Sequence, residues 1–465
     1  MKSEISLQTR REFLRSTVLG SALSWTVPAF LANTFSALHA QTAGQATQVV
    51  TGRDSTILLI LQMAGGNDGL NTVVPYSNDH YHRARPKIGL GPGQVLKLND
   101  DIGLHPSLTG FQDLYAAGNL AVIQGIGYPN PNRSHFRSTE IWQTACDADK
   151  VERYGWLGRY FDNACAGCDP TIAVTIGRQM PQAFTAKTPT GVSLDNPQNY
   201  RFMAGGRARP GEASPAEALF RKLNQFEDTG GKQHVAAMNG ESMADMRDAE
   251  PELENAGGTI GALSGPVRHS GSVLDFLERT ALDAQVSSDE IRAISSRVEN
   301  KANYPATQLG NSLKLVAKLI GGGLPTRIFY VSQGGYDTHT NQLNAQERLL
   351  RDLGDSVKAF TDDMKDQGNL PRVLLMTFSE FGRRVSENAN GGTDHGAAAP
   401  MFLVGSRIKA GLLGEYPGLA PADLFQGDLK YKVDFRSVYA AVLEHWLKTK
   451  SEPVLGHKFA PFPIV

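Results

Sequence analysis

A mostly parallel α/β sheet covered by helices on both faces is the fold class this sequence predicts. Short apolar runs alternate with amphipathic helical patterns, 48 glycines suit a loop-rich α/β chain, and polar residues cluster directly after the apolar runs. The runs at 56–63, 120–124, 172–176, 327–332, 373–378 and 401–404 have strand length and strand composition. Between them, Leu349, Leu353, Val357, Phe360 and Met364 recur at steps of three and four, which puts them on one face of a helix. Leu313, Val316, Ala317 and Ile320 predict a second helix, and 435–447 a third. The segment at about 185–266 breaks this rhythm, with few large apolar residues and many Gly, Pro, Asn, Glu and Ala. It reads as an inserted cap or mobile excursion, the alternative being a small second domain.

The N-terminus carries Thr9-Arg10-Arg11-Glu12-Phe13-Leu14-Arg15, then an apolar stretch from 16 to 31 and small residues near Ala40. This order is that of a twin-arginine export signal over residues 1–40, which makes the twin-arginine translocase a partner during export. Gly20, Ser24 and Pro28 interrupt the apolar stretch, so no stable membrane span is expected. The mature chain, 41–465, is expected in the periplasm or outside the cell as a single α/β domain. Charges nearly cancel, 46 Lys and Arg against 47 Asp and Glu, so nothing points to nucleic acid or an anionic membrane. Three cysteines exclude a disulfide scaffold at this size. Cys165-Ala-Gly-Cys168 reads as a local disulfide or as two loop thiols.

In parallel α/β sheets ligands bind beyond the carboxyl ends of the strands, so the residues there carry the functional reading. After the first run, Gly65-Gly66-Asn67-Asp68 projects Asp68, either as a metal ligand or as a turn residue. After the second, Asn132-Arg133-Ser134-His135-Phe136-Arg137-Ser138 leads into a helical pattern. Ser134 then sits at a helix start, where backbone N–H groups favour an anion, or Ser134 or Ser138 merely caps that helix. Asp337-Thr338-His339 follows the run at 327–332, and this spacing either lets both side chains reach one cation or is a turn Asp beside a surface His. Ser379-Glu380-Phe381-Gly382 follows 373–378, and Thr393-Asp394-His395-Gly396 precedes the last run. His105, in Leu104-His105-Pro106, stands apart from these groups. The chain has no Gly-x-Ser-x-Gly elbow, complete Walker A loop, His-Glu-x-x-His pair or dinucleotide fingerprint.

Together, Gly65 to Thr72, Asn132 to Ser138, Asp337 to His339, Thr377 to Arg383 and Gly392 to Gly396 resemble the exported bacterial family known as domain of unknown function 1501. The resemblance spans about residues 55–463 and implies kinship with the alkaline phosphatase and sulfatase superfamily. It implies a three-layer sandwich with metals at the strand ends. By the same resemblance Asp68, Asp337, His339, Glu380 and His395 are metal ligands, with Asp394 compensating for Phe381, which stands where relatives carry histidine. One or two divalent ions are expected, zinc first, with magnesium, calcium or manganese as alternatives.

Two functions follow as expectations. One is hydrolysis of a small phosphate or sulfate ester, with Ser134 as nucleophile, His135 as acid, and Arg133 or Arg137 clamping the anion. The other is a non-catalytic periplasmic binding protein with the same fold.

Overall fold

The computed structural model describes residues 55–165, 168, 170–177, 179–187, 191–194 and 291–465. The export signal at 1–40 and most of the 185–266 segment lie outside the described residues. Among the described residues fourteen strands run in chain order: β1 Ile57–Met63, β2 Val73–Val74, β3 Leu96–Lys97, β4 Gly103–Leu104, β5 Leu120–Gly127, β6 Ala173–Ile176 and β7 Val192–Leu194. Then come β8 Ile328–Gln333, β9 Val373–Phe378, β10 Ala399–Val404, β11 Gly411–Leu413, β12 Leu424–Phe425, β13 Asp428–Leu429 and β14 Val433–Asp434.

Nine of them form the central sheet in the order β11-β5-β10-β9-β1-β8-β6-β7, with β14 also pairing β5. β1 pairs in parallel with β8 and β9, β6 with β7 and β8, and β5 with β11 and β14. Among the described strands of this sheet only β10 runs antiparallel, to both β5 and β9. The sheet is mixed and mostly parallel, as expected. The segment beginning at 185 needs one correction, because Val192–Leu194 pairs with β6 as an edge strand. Alternating Val192 and Leu194 supply the apolar pair that seats this strand.

Side chains alternate across the pleat, so β1 feeds two cores. Leu58 and Ile60 face one, and Ile57, Leu59, Leu61 and Met63 face the other. The second core takes helices Gln308–Gly321 and Gln342–Asp366 through Leu313, Val316, Leu353, Val357 and Phe360. The first takes helices His135–Thr144, Trp156–Ala164 and Phe435–Ala441, where Trp142 stacks on Phe435 and Trp156 on Tyr439. Each such side chain, fully buried, contributes about 1.5–3 kcal/mol. The third predicted helix is shorter than its pattern, because a wider π-type turn, Val442–Trp446, follows Ala441. Cys165 and Cys168 form a disulfide. Among the described residues, no helix is long and apolar enough to cross a membrane.

Strands β2, β4 and β3 form a small separate sheet that ends at His105. The His105 N–H donates to the Thr72 carbonyl at 3.0 Å, and its Nδ1 accepts from the Ser107 N–H at 3.1 Å. Burial pushes its pKa down to about 4, against about 6.5 in an unfolded chain. The unfolded chain therefore takes up the proton first. The stability tied to a neutral His105 is fully present above about pH 6.5, falls by about 1.4 kcal/mol per unit below that, and is lost by about pH 4. Urea titrations at pH 7 and pH 4.5 are expected to show His105→Gln losing about 2–3 kcal/mol less than the parent. An identical loss in both chains would refute this assignment.

Candidate metal centre

Four strand ends meet at one edge of the sheet. β1, β8 and β9 deliver their carboxyl ends there, leading into Gly65, Tyr336-Asp337 and Ser379-Glu380. Because β10 is antiparallel, the residues before it, Asp394 and His395, arrive at that same edge. The turn Gly65-Gly66 must be glycine at its first position. Its φ is +119°, and a Cβ there would run into the backbone of Tyr336 and Asp337. At Gly392 a Cβ would likewise strike the backbone of His339. The loops are thus held at main-chain contact distance.

Arg383 binds them together. Its buried guanidinium donates to the carbonyls of Gly66 (2.7 Å), Thr393 (2.8 Å), Tyr336 (3.0 Å) and Gly65, and to Asp337 Oδ1 (2.7 Å). Its backbone also bridges to His395. Gln342, at the start of the long helix, accepts from Thr338 and Thr393 hydroxyls and closes the far side.

Three imidazoles converge on Asp337. His339 Nε2 lies 3.1 Å and His395 Nε2 3.2 Å from Asp337 Oδ1, and His135 Nε2 lies 3.5 Å from Oδ2. His339 Nε2 and His395 Nε2 are 2.9 Å apart. The other ring nitrogen of each is already engaged. His135 Nδ1 donates to Glu380 Oε1 (3.0 Å), His395 Nδ1 to the Arg133 carbonyl (2.8 Å) and His339 Nδ1 to Asp394 Oδ1 (3.3 Å). Carboxylates and carbonyls only accept, so Nδ1 carries the proton in each ring. With Nδ1 so engaged, Nε2 is the atom each ring turns toward Asp337, and a cation among them would relieve the 2.9 Å contact between His339 Nε2 and His395 Nε2. Ligand atoms of His135, Asp337 and His395 all lie within 4.8 Å of one another. Imidazole plus carboxylate donors fit zinc or a similar transition metal better than magnesium or calcium, which take all-oxygen sets.

Burial alone would raise the pKa of Asp337, but hydrogen bonds from Arg383 and His395 outweigh it and hold the carboxyl down at about 2. It is ionised at neutral pH. Asp394 is also held below the usual carboxylate range, chiefly by Asn388 and His339. Its place is behind His339, orienting the ring.

The sequence expectations separate here. Asp337, His339 and His395 come together, and His135, expected as an acid, joins them with its Nε2 turned inward. Asp68 does not join them. Its buried carboxylate forms a two-pronged ion pair with Arg85 and also accepts from Gln342. Glu380 is buried, with Oε1 accepting from His135 and the Gly65 N–H (2.7 Å), so it backs His135. Its Oε2 has no partner among the described residues, an orphaned acceptor that positive charge in the site would compensate. Arg137 is no clamp. It donates to the carbonyls of Asp147, Ala148 and Lys150 and pairs with Glu140. Arg133 is ion-paired to Asp428. Ser134 precedes helix His135–Thr144 with an exposed hydroxyl that makes no capping hydrogen bond, so it is not spent as a cap. Ser138 is buried and bonds Tyr128 and the Asn132 carbonyl. Phe381 packs against His135 (4.9 Å) and His395 (4.4 Å) as the apolar wall of the cluster.

Arg383, Arg384 and Asp428 escaped the sequence reading. The Arg383-Arg384 pair beside Phe381-Gly382 was the only signal, and it said nothing about carbonyl partners. Arg383→Met would orphan four carbonyls and free Asp337. At about 1–3 kcal/mol per buried group left unpaired, a loss of about 3 kcal/mol or more in guanidinium unfolding is expected. A loss below about 1 kcal/mol would show that Arg383 does not hold the loops.

No curated protein matches the chain. Among solved structures it is similar to the lipoteichoic acid synthase LtaP from Listeria monocytogenes, at 8% identity and TM-score 0.35, covering 88% of this chain and 79% of that one. A protein in the alkaline phosphatase superfamily from Vibrio parahaemolyticus matches at 8% identity and TM-score 0.33, over 92% and 77%. The C-terminal periplasmic domain of EptC from Escherichia coli, in complex with Zn, matches at 11% identity and TM-score 0.32, over 78% and 77%. Likeness this distant assigns this chain no reaction. The family model described as Protein of unknown function (DUF1501) matches residues 55–455, and the chain belongs to that family.

Proposed function

We propose that this chain is an exported metal-dependent hydrolase of phosphate or sulfate esters. One observation carries the reading: three histidines whose Nδ1 atoms are engaged by a carboxylate or carbonyl turn Nε2 toward an ionised Asp337. A divalent ion held there, zinc first, would supply Lewis-acid chemistry, neutralising ester oxygens and lowering the pKa of a nearby hydroxyl. The chain's own groups supply the rest. Asp337 is about half exposed and His339 and His395 partly so, which leaves the cluster open to a substrate. Ser134 offers an unengaged hydroxyl one residue before His135, at the start of a ten-residue helix whose first N–H groups favour an anion. Glu380 and Asp394 fix the tautomers of His135 and His339. Phe381 keeps one wall dry. Export through the twin-arginine route rests on residues 9–15, and the Cys165–Cys168 disulfide suits an oxidising compartment.

Mature protein purified from the periplasm is expected to hold about one equivalent of metal or more by mass spectrometry, and His339→Ala/His395→Ala to lose it. Ser134→Ala is expected to keep the metal while hydrolysis of aryl phosphate or sulfate falls about a hundredfold or more. Failure to take up Zn²⁺, Mn²⁺, Mg²⁺ or Ca²⁺ would overturn the metal reading. Metal retained without Ser134-dependent hydrolysis would favour a non-catalytic binding protein.

A further inference from the structure

Beside the histidine cluster, two arginines share one buried carboxylate. Asp428, on β13, is almost fully buried, and its Oδ2 accepts from Arg133 Nε (2.9 Å) and Nη2. Its Oδ1 lies 3.7 Å from Arg384 Nε and makes no hydrogen bond among the described residues. Burial raises the pKa of Asp428, and only the arginines oppose this. Each arginine is tied by its backbone to the cluster. The Arg133 carbonyl accepts from His395 Nδ1, and the Arg384 N–H donates to the Asp394 carbonyl at 3.0 Å. The main chain is therefore fixed at both, while the side chains remain 36% and 37% exposed.

The donors do not balance. A guanidinium has five N–H groups in a rigid fork. Arg133 spends Nε and Nη2 on Asp428 and has Nη1 left over. Arg384 makes no side-chain hydrogen bond among the described residues, although Asp394 feels its charge. One carboxylate thus holds two half-exposed forks in position without saturating either. Planar forks of this kind match the oxygen edges of a tetrahedral oxyanion.

We infer that Arg133 and Arg384, positioned by Asp428, form a subsite for a tetrahedral oxyanion such as phosphate or sulfate, next to the His135–Asp337–His395 cluster. The inference rests on the hydrolase reading for its substrate class, and it replaces Arg137 with Arg384 as the second clamp. Asp428 is a positioning residue, since it holds the forks and faces no ligand oxygen itself.

The test is calorimetric binding of inorganic phosphate and of sulfate to metal-loaded mature protein, with metal content measured on each sample. Arg384→Met is expected to weaken phosphate binding about tenfold or more with metal content unchanged. Arg384→Lys, which keeps the charge without the fork, should fall between it and the parent. Arg351→Met is the control, on the exposed face of helix Gln342–Asp366, where Arg351 pairs with Glu347. It should bind as the parent does. Parent-like affinity for both anions in Arg384→Met would overturn the subsite, as would metal loss in that variant, which would make Arg384 a support of the cluster. Repeating the titration on metal-free protein separates the two proposals. Arginine-dependent binding without metal supports the subsite even where the hydrolase reading fails.

Discussion

The guanidinium of Arg383 sits where the loops after β1 and β8 and the loop before β10 come within hydrogen-bond distance, and all three of its nitrogens donate to their oxygens. Carbonyls at loop ends are acceptors without a helix or ladder to satisfy them. A single buried cation answers four of them and leaves one more bond for Asp337. The same bond that steadies the loops keeps Asp337 ionised, so loop geometry and site charge have one cause. Lysine in that place would bring a compact charge without the fork, and could not span acceptors contributed by three segments.

β10 is the second constraint. In a fully parallel sheet, residues preceding a strand lie at the edge opposite those following its neighbours. Reversing one strand brings Asp394 and His395 round to the edge already holding Asp337 and Glu380. The reversal also lets His395 reach the Arg133 carbonyl in the loop after β5, which is how the start of helix His135–Thr144 becomes part of the site.

Strand existence was legible because buried strands are short apolar runs, and 373–378 coincides with β9. Asp337, His339 and His395 were legible as polar residues at strand ends. Asp68 was legible in the same way, but only the fold shows Arg85, 17 residues later and just past a neighbouring helix, turned back onto it. Arg383 and Asp428 were opaque because their partners are main-chain atoms or side chains up to 318 residues away, which no spacing rule encodes. Glu380 was seen as a site residue, yet its place behind His135 depends on a single hydrogen bond across 245 positions.

The bond from His395 to Arg133 spans 262 residues of sequence. Closing a loop of that size costs chain entropy before any local contact repays it. The ligand cluster therefore exists only after β5, β8, β9 and β10 have found one another, late in folding. An ion that prefers this cluster would have almost no purchase on a partly folded chain. Its binding would stabilise the finished sheet alone, by about 1.4 kcal/mol for each tenfold excess over its dissociation constant. Occupancy would then act as a thermodynamic latch on completion of the fold.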